Sequence, residues 1–173
     1  MNKKITLKTK DKIYSINIEP NSIVKNLNKI INTNNKAIFL IDKKIFYIFK
    51  KLKNYKNQKY LIINCSEKLK SFSNYSKISE QILNFNIDRK TTLVAIGGGT
   101  LGDLSGFIAS TILRGVDLIL FPTTLLSQVD SSIGGKNGIN TNSGKNLVGS
   151  FYQPKIVFID PKILTTLSKR EIL

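Results

Sequence analysis

The residues of this chain that are best suited to chemistry are a run of glycines directly after an apolar, β-rich segment. Residues 91–96 predict a strand, and Gly97, Gly99 and Gly102 then satisfy the spacing G-x-G-x-x-G before a predicted helix. Glycines let the backbone approach a pyrophosphate, whose charge the N–H groups and dipole at the start of a helix stabilise. This pattern predicts a nucleotide-binding turn; a tight strand-to-helix turn without a ligand is the alternative.

The glycine turn departs from the usual dinucleotide-binding fingerprint. In that fingerprint the glycines follow the first strand, and an acidic residue ends the second strand about 20 residues later. Here the glycines follow the fourth or fifth predicted strand, and Asp117 precedes its strand instead of ending it. The glycines therefore indicate a nucleotide-binding turn of another pattern.

Hydroxyl and amino groups after the glycine turn could also contact a ligand. Thr123 and Thr124 directly follow a predicted strand, where hydroxyls suit hydrogen bonds to a ribose or a nicotinamide. Lys136 and Lys145 lie in glycine-flanked segments that we predict as loops, and from there their ammonium groups can reach phosphate oxygens. Residue type and position alone do not separate such contacts from ordinary structural roles.

Several of these polar residues have an ordinary structural alternative. Thr123 or Ser127 could cap a helix, and Asp130 could cap the turn that follows it. Asp103 could stabilise the start of its helix, because carboxylates are favourable there. The two lysines could simply be solvated, and we expect Cys65 to be an inert small side chain.

A long ordered signature runs through the same part of the chain. It consists of a GGG-x-x-GD turn, an RG dipeptide, the phrase PTTLLSQVDSS-x-GGK and the phrase GKN-x-x-G-x-FYQP, and all four occur in this order within residues 97–154. On these motifs the chain resembles 3-dehydroquinate synthase. The earlier half matches more loosely, through Glu67 and Lys70 in a G-E-x-x-K segment and Asp42 after an early strand. Cys65 and Ser66 replace the Asp-Gly that the family commonly has before that glutamate.

The resemblance implies a cofactor, NAD, and a set of residues that bind it. These residues are Asp42, Glu67, Lys70, Gly99, Thr100, Leu101, Gly102, Asp103, Thr123, Thr124, Lys136, Lys145, Thr165 and Thr166.

The resemblance also implies a substrate site. Asp130, Lys136 and Asn146 would face a sugar phosphate, and Arg114 would reach the phosphate that is bound by a neighbouring subunit. The catalytic residues implied in this way are therefore Asp130, Lys136, Asn146 and Arg114, and the expected assembly is a homodimer.

The implied reaction belongs to the shikimate pathway of aromatic amino acid biosynthesis. It converts 3-deoxy-D-arabino-heptulosonate 7-phosphate into 3-dehydroquinate and phosphate, with NAD as a catalytic cofactor and a divalent metal, Zn or Co. In the family the metal is held by one Glu and two His beyond the nucleotide domain, whereas this chain has no histidine. We therefore expect that its metal ligands are not in this chain and that the chain is inactive alone.

Two other functions stay open at this point. One is another sugar-phosphate cyclase or a glycerol-dehydrogenase-like enzyme, since fold analogy alone does not separate substrates. The other is a non-catalytic nucleotide-binding remnant.

The charge of the chain argues against a nucleic-acid function. The formal net charge is +16, but the excess consists mostly of lysines scattered before residue 91. Arginine, which reads guanine edges in sequence-specific DNA recognition, occurs only at Arg89, Arg114 and Arg170.

No segment has the roughly 20 apolar residues of a membrane span or the apolar run of a secretory signal, so a cytoplasmic location is expected.

Strands and helices alternate along the sequence and must position these residues. Apolar runs predict strands at 5–8, 13–18, 37–41, 60–63, 91–96, 118–121 and 156–159, and helical spacing predicts helices at 22–31, 45–52, 78–85, 103–113 and from 169 onward. Asn21 or Ser22 is the expected cap of the first helix. This alternation predicts an α/β fold with a Rossmann-like, doubly wound, mainly parallel sheet.

The length of the chain, 173 residues, favours one domain. We expect a single NAD-binding α/β domain over residues 1–173. Residues 161–173 would then lead into the all-α metal-binding domain of the family, which we expect to be absent from this chain.

Overall fold

A seven-stranded, mainly parallel sheet forms the centre of the protein in the computed structural model, which describes residues 2–10, 12–34 and 36–167. Its strands are β1 (Lys3–Lys8), β2 (Ile13–Ile18), β3 (Ala37–Asp42), β4 (Lys59–Ile63), β5 (Thr92–Gly97), β6 (Asp117–Pro122) and β9 (Ile156–Ile159), while β7 (Lys136–Thr141) and β8 (Gly144–Phe151) form a separate hairpin. The strand order in the sheet is β1-β2-β9-β6-β5-β3-β4, and within it only β1 and β2 pair antiparallel.

Helices cover both faces of this sheet. The helices are α1 (Ile23–Thr33), α2 (Phe46–Phe49), α3 (Phe72–Leu83) and α4 (Gly99–Thr111). Buried side chains of α1 and α2, such as Leu27 and Phe49, pack with Phe39 on one face. Buried side chains of α3 and α4, such as Ile82 and Leu104, pack on the other face. The predicted doubly wound α/β fold is therefore confirmed.

The chain leaves two neighbouring strands toward opposite faces of the sheet. The segment after β3 leads to α2, whereas the segment after β5 leads directly to α4 on the other face. A crevice opens where adjacent connections diverge in this way, and α/β proteins bind ligands there. Asp42 and the glycine turn lie at this point: a Cβ atom added to Gly97 would lie 3.3 Å from the Cβ atom of Asp42.

The start of α1 is capped from a distant part of the chain. Ser22 occupies the cap position, but its side chain makes no cap hydrogen bond. Instead the buried carboxylate of Asp160 accepts hydrogen bonds from the backbone N–H groups of Asn21, Ser22 and Ile23 at 2.8, 2.8 and 3.1 Å. Ser22 therefore lies at the predicted cap position, but the hydrogen-bond acceptor comes from Asp160 after β9 instead of from its own side chain.

Several helices begin or end at other residues in the structure than the sequence predicts. The helix predicted at 103–113 begins four residues earlier, since Gly99 to Gly102 adopt helical conformation, and it ends at Thr111. It ends there because Leu113 and Arg114 take left-handed φ angles of 53° and 66°. The helix predicted at 45–52 is shorter, and α3 contains the predicted helical residues 78–83 but ends before Phe85. The helix predicted from residue 169 lies outside the described residues.

The hairpin of β7 and β8 is absent from the sequence prediction, which placed Lys136 and Lys145 in loops. Both lysines lie on its strands. Glycine and asparagine are poor strand formers, so the segment lacks a local strand signal. Close pairing of the two strands explains the glycines: a Cβ atom at Gly149 would lie 2.0 Å from the carbonyl oxygen of Asn137.

Within the described ranges, no helix combines the length and apolarity needed to cross a membrane.

Candidate functional site

The glycine turn packs against the segment that follows β6. A Cβ atom at Gly98 would lie 3.0 Å from Cγ2 of Thr124, and one at Gly99 would lie 2.6 Å from Oγ of Ser131. At Gly102, by contrast, an added Cβ atom would meet nothing within 4 Å. The first two positions are therefore glycine for internal packing, while Gly102 faces open space beside the first turn of α4.

Two buried serine hydroxyls beside this turn have no hydrogen-bond partner among the residues that the structure describes. The Oγ atoms of Ser131 and Ser132 are buried without a hydrogen bond, and both residues line a small cavity with Gly97, Gly98 and Gly99. Unsatisfied buried polar groups are rare and call for an explanation such as a bound ligand. The start of α4 also lacks a side-chain cap, because Gly98 is its N-cap residue. The uncapped helix start suits an anionic group such as a pyrophosphate, whereas the cavity at the two hydroxyls, about 10 Å³, is about the size of a single water molecule.

The residues after β6 hold this turn in place. The backbone N–H of Thr123 donates to the carbonyl oxygen of Gly97 at 3.0 Å and joins the carboxyl ends of β5 and β6. The hydroxyls of Thr124 and Ser127 lie 2.8 Å apart, and Ser127 Oγ accepts from the backbone N–H of Thr124 at 3.0 Å. Thr124 and Ser127 thus hold the backbone that leads into the π-helical turn Ser127–Ser131, whereas Thr123 contributes a backbone contact.

A buried lysine connects three predicted site residues. Lys70 is only 5% exposed, and its Nζ atom lies 2.6 Å from Oδ2 of Asp103. It also donates a hydrogen bond to Oδ1 of Asn146. Lys70 follows the short 3-10 helix Glu67–Leu69, so this turn after β4 delivers it to α4 and the hairpin. The ammonium group is therefore held between a carboxylate and an amide.

The electrostatic surroundings of Asp103 are mixed. Burial raises its pKa, the hydrogen bond and charge of Lys70 lower it, and the charges of Glu67 and Asp130 raise it. The net result is a pKa above the ordinary value, because burial is the largest effect. The charges of Lys70, Glu67 and Asp130 therefore all influence the Asp103 carboxyl at this edge of the sheet.

A cavity of about 540 Å³ opens next to this group. Asp103, Asp130, Lys136 and Asn146 all line it. This volume is within the range of small-molecule sites. The structure thus brings a predicted cofactor residue, Asp103, together with the three residues predicted to face the substrate.

Comparison with known proteins bears on this site. The family model described as 3-dehydroquinate synthase N-terminal matches residues 60–173. The chain belongs to the 3-dehydroquinate synthase family. A 3-dehydroquinate synthase from Clostridium botulinum (strain Alaska E43 / Type E3) is 40% identical over 176 residues, covering 97% of this chain and 50% of the relative.

Two further comparisons extend this result. A 3-dehydroquinate synthase from Methylacidiphilum infernorum (isolate V4) is 57% identical over 112 residues, covering 65% of this chain and 31% of the relative. The chain thus spans about a third to a half of these relatives. A crystal structure of 2-deoxy-scyllo-inosose synthase complexed with carbaglucose-6-phosphate, NAD+ and Co2+ superposes with a TM-score of 0.81 and 27% identity, covering 98% of this chain and 49% of that one.

Some residues that the 3-dehydroquinate synthase motifs predict lie away from the cavity. Arg114 follows α4, whose 13 residues separate it from the glycine turn by about 20 Å. The hydroxyls of Thr165 and Thr166 donate to carbonyl oxygens of their own 3-10 helix. Lys145 lies on β8 with an exposed side chain. One copy of this chain therefore does not bring Arg114 to the cavity.

Asp42 ends β3, and Cys65 follows the neighbouring strand β4. The carboxylate of Asp42 accepts a hydrogen bond from the backbone N–H of Lys44 at 3.0 Å. Burial, and after it the charge and hydrogen bond of Asp42, raise the pKa of the Cys65 thiol. The thiol therefore stays protonated, which agrees with the inert role expected for this residue.

The sequence prediction missed the residues that dock the hairpin on α4. Asn137 donates hydrogen bonds to the carbonyl oxygens of Gly135 and Tyr152 at 2.7 and 3.0 Å. Its Oδ1 atom approaches so closely that a Cβ atom at Gly106 would lie 1.8 Å from it. A glycine in the middle of a predicted helix is a signal of such close packing. Gly106 could therefore have indicated a contact on this face of α4.

Proposed function

We propose that this chain is the NAD-binding part of a 3-dehydroquinate synthase of the shikimate pathway. That lyase converts 3-deoxy-D-arabino-heptulosonate 7-phosphate into 3-dehydroquinate and phosphate. The observation that carries the proposal is the convergence of Asp103, Asp130, Lys136 and Asn146 on one cavity beside the glycine turn. The higher identity to 3-dehydroquinate synthases than to the inosose synthase favours this substrate over that of another cyclase.

The residues of the crevice fit NAD chemically. The first turn of α4, from Gly99 to Asp103, would bind the pyrophosphate, because it offers N–H donors at a helix start. Asp42 and Glu67 supply carboxylates for ribose hydroxyls, and Lys70 supplies a positive charge nearby. Bound in this crevice, NAD would supply a reversible acceptor for the hydride on the carbon that bears a substrate hydroxyl.

The polar residues around the cavity suit a sugar phosphate. The ammonium group of Lys136 attracts a phosphate, and the carboxylate of Asp130 can accept hydrogen bonds from sugar hydroxyls. Asn146 can both donate and accept. Lys70 balances the charge of Asp103, so the site keeps a carboxylate beside the substrate without an isolated buried charge.

Arg114 belongs to this proposal only through a second copy of the chain. We assign it to the phosphate-binding group of the neighbouring subunit in a homodimer. Its position supports this assignment, since it is exposed, lies at the opposite end of α4 from the glycine turn and is not among the residues that line the cavity. Leu113 and Arg114 both keep left-handed φ angles, and such conformations are often found at functional positions.

The proposal assigns no metal ligand to this chain. The inosose synthase structure contains Co2+, and the resemblance implies a divalent metal. This chain has no histidine, and the described residues hold no group of three or more His, Cys, Asp or Glu side chains that could bind a metal ion. The residues described here therefore serve the cofactor and the sugar phosphate.

The substitution Gly102→Ala tests the cofactor site. Its Cβ atom would meet no protein atom within 4 Å, and alanine favours a helix by up to about 1 kcal/mol over glycine. We expect the free energy of unfolding to stay equal or rise, while NAD binding weakens at least about tenfold, because the methyl group occupies space that the pyrophosphate needs. Isothermal titration calorimetry and urea denaturation measure the two effects.

Asn28→Ala is the matched control. Asn28 lies on α1, on the opposite face of the sheet, and its substitution also improves helix propensity. Its NAD affinity should equal that of the unchanged chain. No detectable NAD binding by the unchanged chain would overturn the proposed function, and unchanged affinity in Gly102→Ala would contradict this placement of the cofactor. NAD binding without any affinity for the heptulosonate phosphate in the complete enzyme would instead favour a nucleotide-binding remnant.

A further inference from the structure

Asn140 on β7 contacts three residues of the proposed site, although no motif singles it out. Its side-chain Nδ2 atom donates to Oε1 of Glu67 at 2.8 Å, and its backbone N–H donates to the carbonyl oxygen of Lys70 at 2.8 Å. Its Oδ1 atom accepts from the backbone N–H of Asn146 at 3.0 Å. The side chain of Asn140 therefore connects Glu67 with Asn146, and its backbone N–H adds the contact with Lys70.

The contacts with Glu67 and Lys70 fix the hairpin on the turn after β4. They join one side-chain amide and one backbone amide of Asn140 to two residues of the same turn. Glu67 is otherwise an exposed side chain, so this hydrogen bond restricts where its carboxylate can point. The second oxygen of that carboxylate stays available for a ligand.

The contact with Asn146 fixes a backbone conformation that needs support. Asn146 has a left-handed φ angle of 56°. Asparagine tolerates this region better than most residues, yet such angles persist mainly where surrounding contacts determine them. Asn140 holds the backbone of Asn146, and Lys70 holds its side chain. Both supports of Asn146 therefore depend on the turn that also carries the proposed cofactor residues.

We propose that Asn140 is a positioning residue that couples NAD binding to the placement of Asn146 at the mouth of the cavity. This inference rests on the proposed function. NAD bound at Glu67 and Lys70 orders the turn, the ordered turn holds Asn140, and Asn140 holds Asn146 in the conformation that faces the substrate. Because coupling between sites is reciprocal, a bound sugar phosphate also strengthens NAD binding through the same residue.

A double-mutant cycle tests the coupling on the cofactor side. Asn140→Ala removes the hydrogen bond to Glu67, and we expect NAD affinity to fall about fivefold, the effect of one hydrogen bond. In a Glu67→Ala background, the same substitution should change NAD affinity less than about twofold. A merely structural role of Asn140 would give the same loss in both backgrounds, and that result would overturn the coupling.

Asn142→Ala is the matched control for this cycle. Asn142 has the same residue type, lies exposed between the two strands of the same hairpin and makes no hydrogen bond within the described part of the chain. It should bind NAD as the unchanged chain does. Isothermal titration calorimetry gives all the affinities.

Amide hydrogen exchange at Asn146 gives a second readout that needs no cofactor. Asn140→Ala should raise the exchange rate of the Asn146 amide at least about fivefold, because its acceptor is lost. Asn140→Asp keeps that acceptor but loses the donor to Glu67, so it should restore protection at Asn146 while NAD affinity stays low.

The possible outcomes separate the two proposals. Absence of NAD binding by the unchanged chain would overturn the proposed function and the coupling with it. Normal NAD binding combined with an unchanged Asn146 exchange rate in Asn140→Ala would overturn the positioning role alone. Loss of protection in Asn140→Ala, rescue in Asn140→Asp and a non-additive cycle together support it.

Discussion

Two lysine–aspartate pairs lie at opposite edges of the sheet and have the same chemistry in different surroundings. At the carboxyl edge, Lys70 and Asp103 have side chains that are 5% and 20% exposed. At the amino edge, Lys36 precedes β3 and Asp88 precedes β5, and their side chains are 45% and 49% exposed. The first pair connects the turn after β4, α4 and the hairpin, whereas the second joins two loops in solvent.

The pKa values of the two aspartates move in opposite directions. Burial is the largest effect on Asp103 and raises its pKa despite Lys70. The hydrogen bond from Lys36 is the largest effect on Asp88 and lowers its pKa. In a chain with a net charge of +16, the number of lysines therefore says little about function, and the burial of one lysine says more.

The largest effect is expected for Asp103→Ala. This change leaves the ammonium group of Lys70 buried without a carboxylate, so the free energy of unfolding should fall by about 3 kcal/mol. Urea denaturation checks the value. Asp103→Asn is the control, since it keeps an oxygen that can accept from Lys70, and it should lose less. An Asp103→Ala protein as stable as the unchanged chain would contradict the buried pair.

A smaller effect is expected in the pH dependence of stability. The folded-state pKa of Asp103 lies above its ordinary value of 3.8. Between these two values the folded protein binds more protons at this carboxyl than the unfolded chain, so this contribution to stability falls as the pH rises through that window. Asp103→Asn does not titrate and should lack this fall. Urea denaturation of both proteins from about pH 4 to about pH 7 gives the difference, and parallel curves would be evidence against a raised pKa.

The smallest effect is expected at the amino edge. Lys36→Ala removes an exposed pair, whose partner is solvated and screened by salt, so the urea midpoint should stay unchanged within error. The pKa of Asp88 should rise toward its ordinary value, because the hydrogen bond from Lys36 is lost. Nuclear magnetic resonance titration of the carboxyl measures this shift. A clear loss of stability would remove the distinction between the two pairs.

Local patterns predicted most of the central sheet. Residues 37–41 and 91–96 are short apolar runs with flanking polar or glycine residues, and both became buried parallel strands. The glycines after residues 91–96 indicated that a helix begins at the crevice. The prediction placed Gly99 to Gly102 in a turn, whereas these residues form the first turn of α4. The motifs in residues 97–154 predicted the family that the comparisons support.

The hairpin, the cap of α1 and the contacts of Asn140 had no comparable local signal. β7 and β8 are rich in glycine and asparagine, which disfavour strands when considered alone. Their strand conformation depends on pairing with each other and on packing against α4. Sequence periodicity reports only on the burial of one face of a segment, so it carries no information about such contacts.

The sequence by itself determined the order of the strands and helices of the central sheet, the position of the glycine turn and the family, because these depend on residue types at short spacing. Only the tertiary structure decided that Asp160 caps a helix 137 residues away in sequence. It also decided that Lys70, among many lysines, is the buried one between Asp103 and Asn146. The physical reason is that burial and partner choice depend on which distant segments the topology brings together.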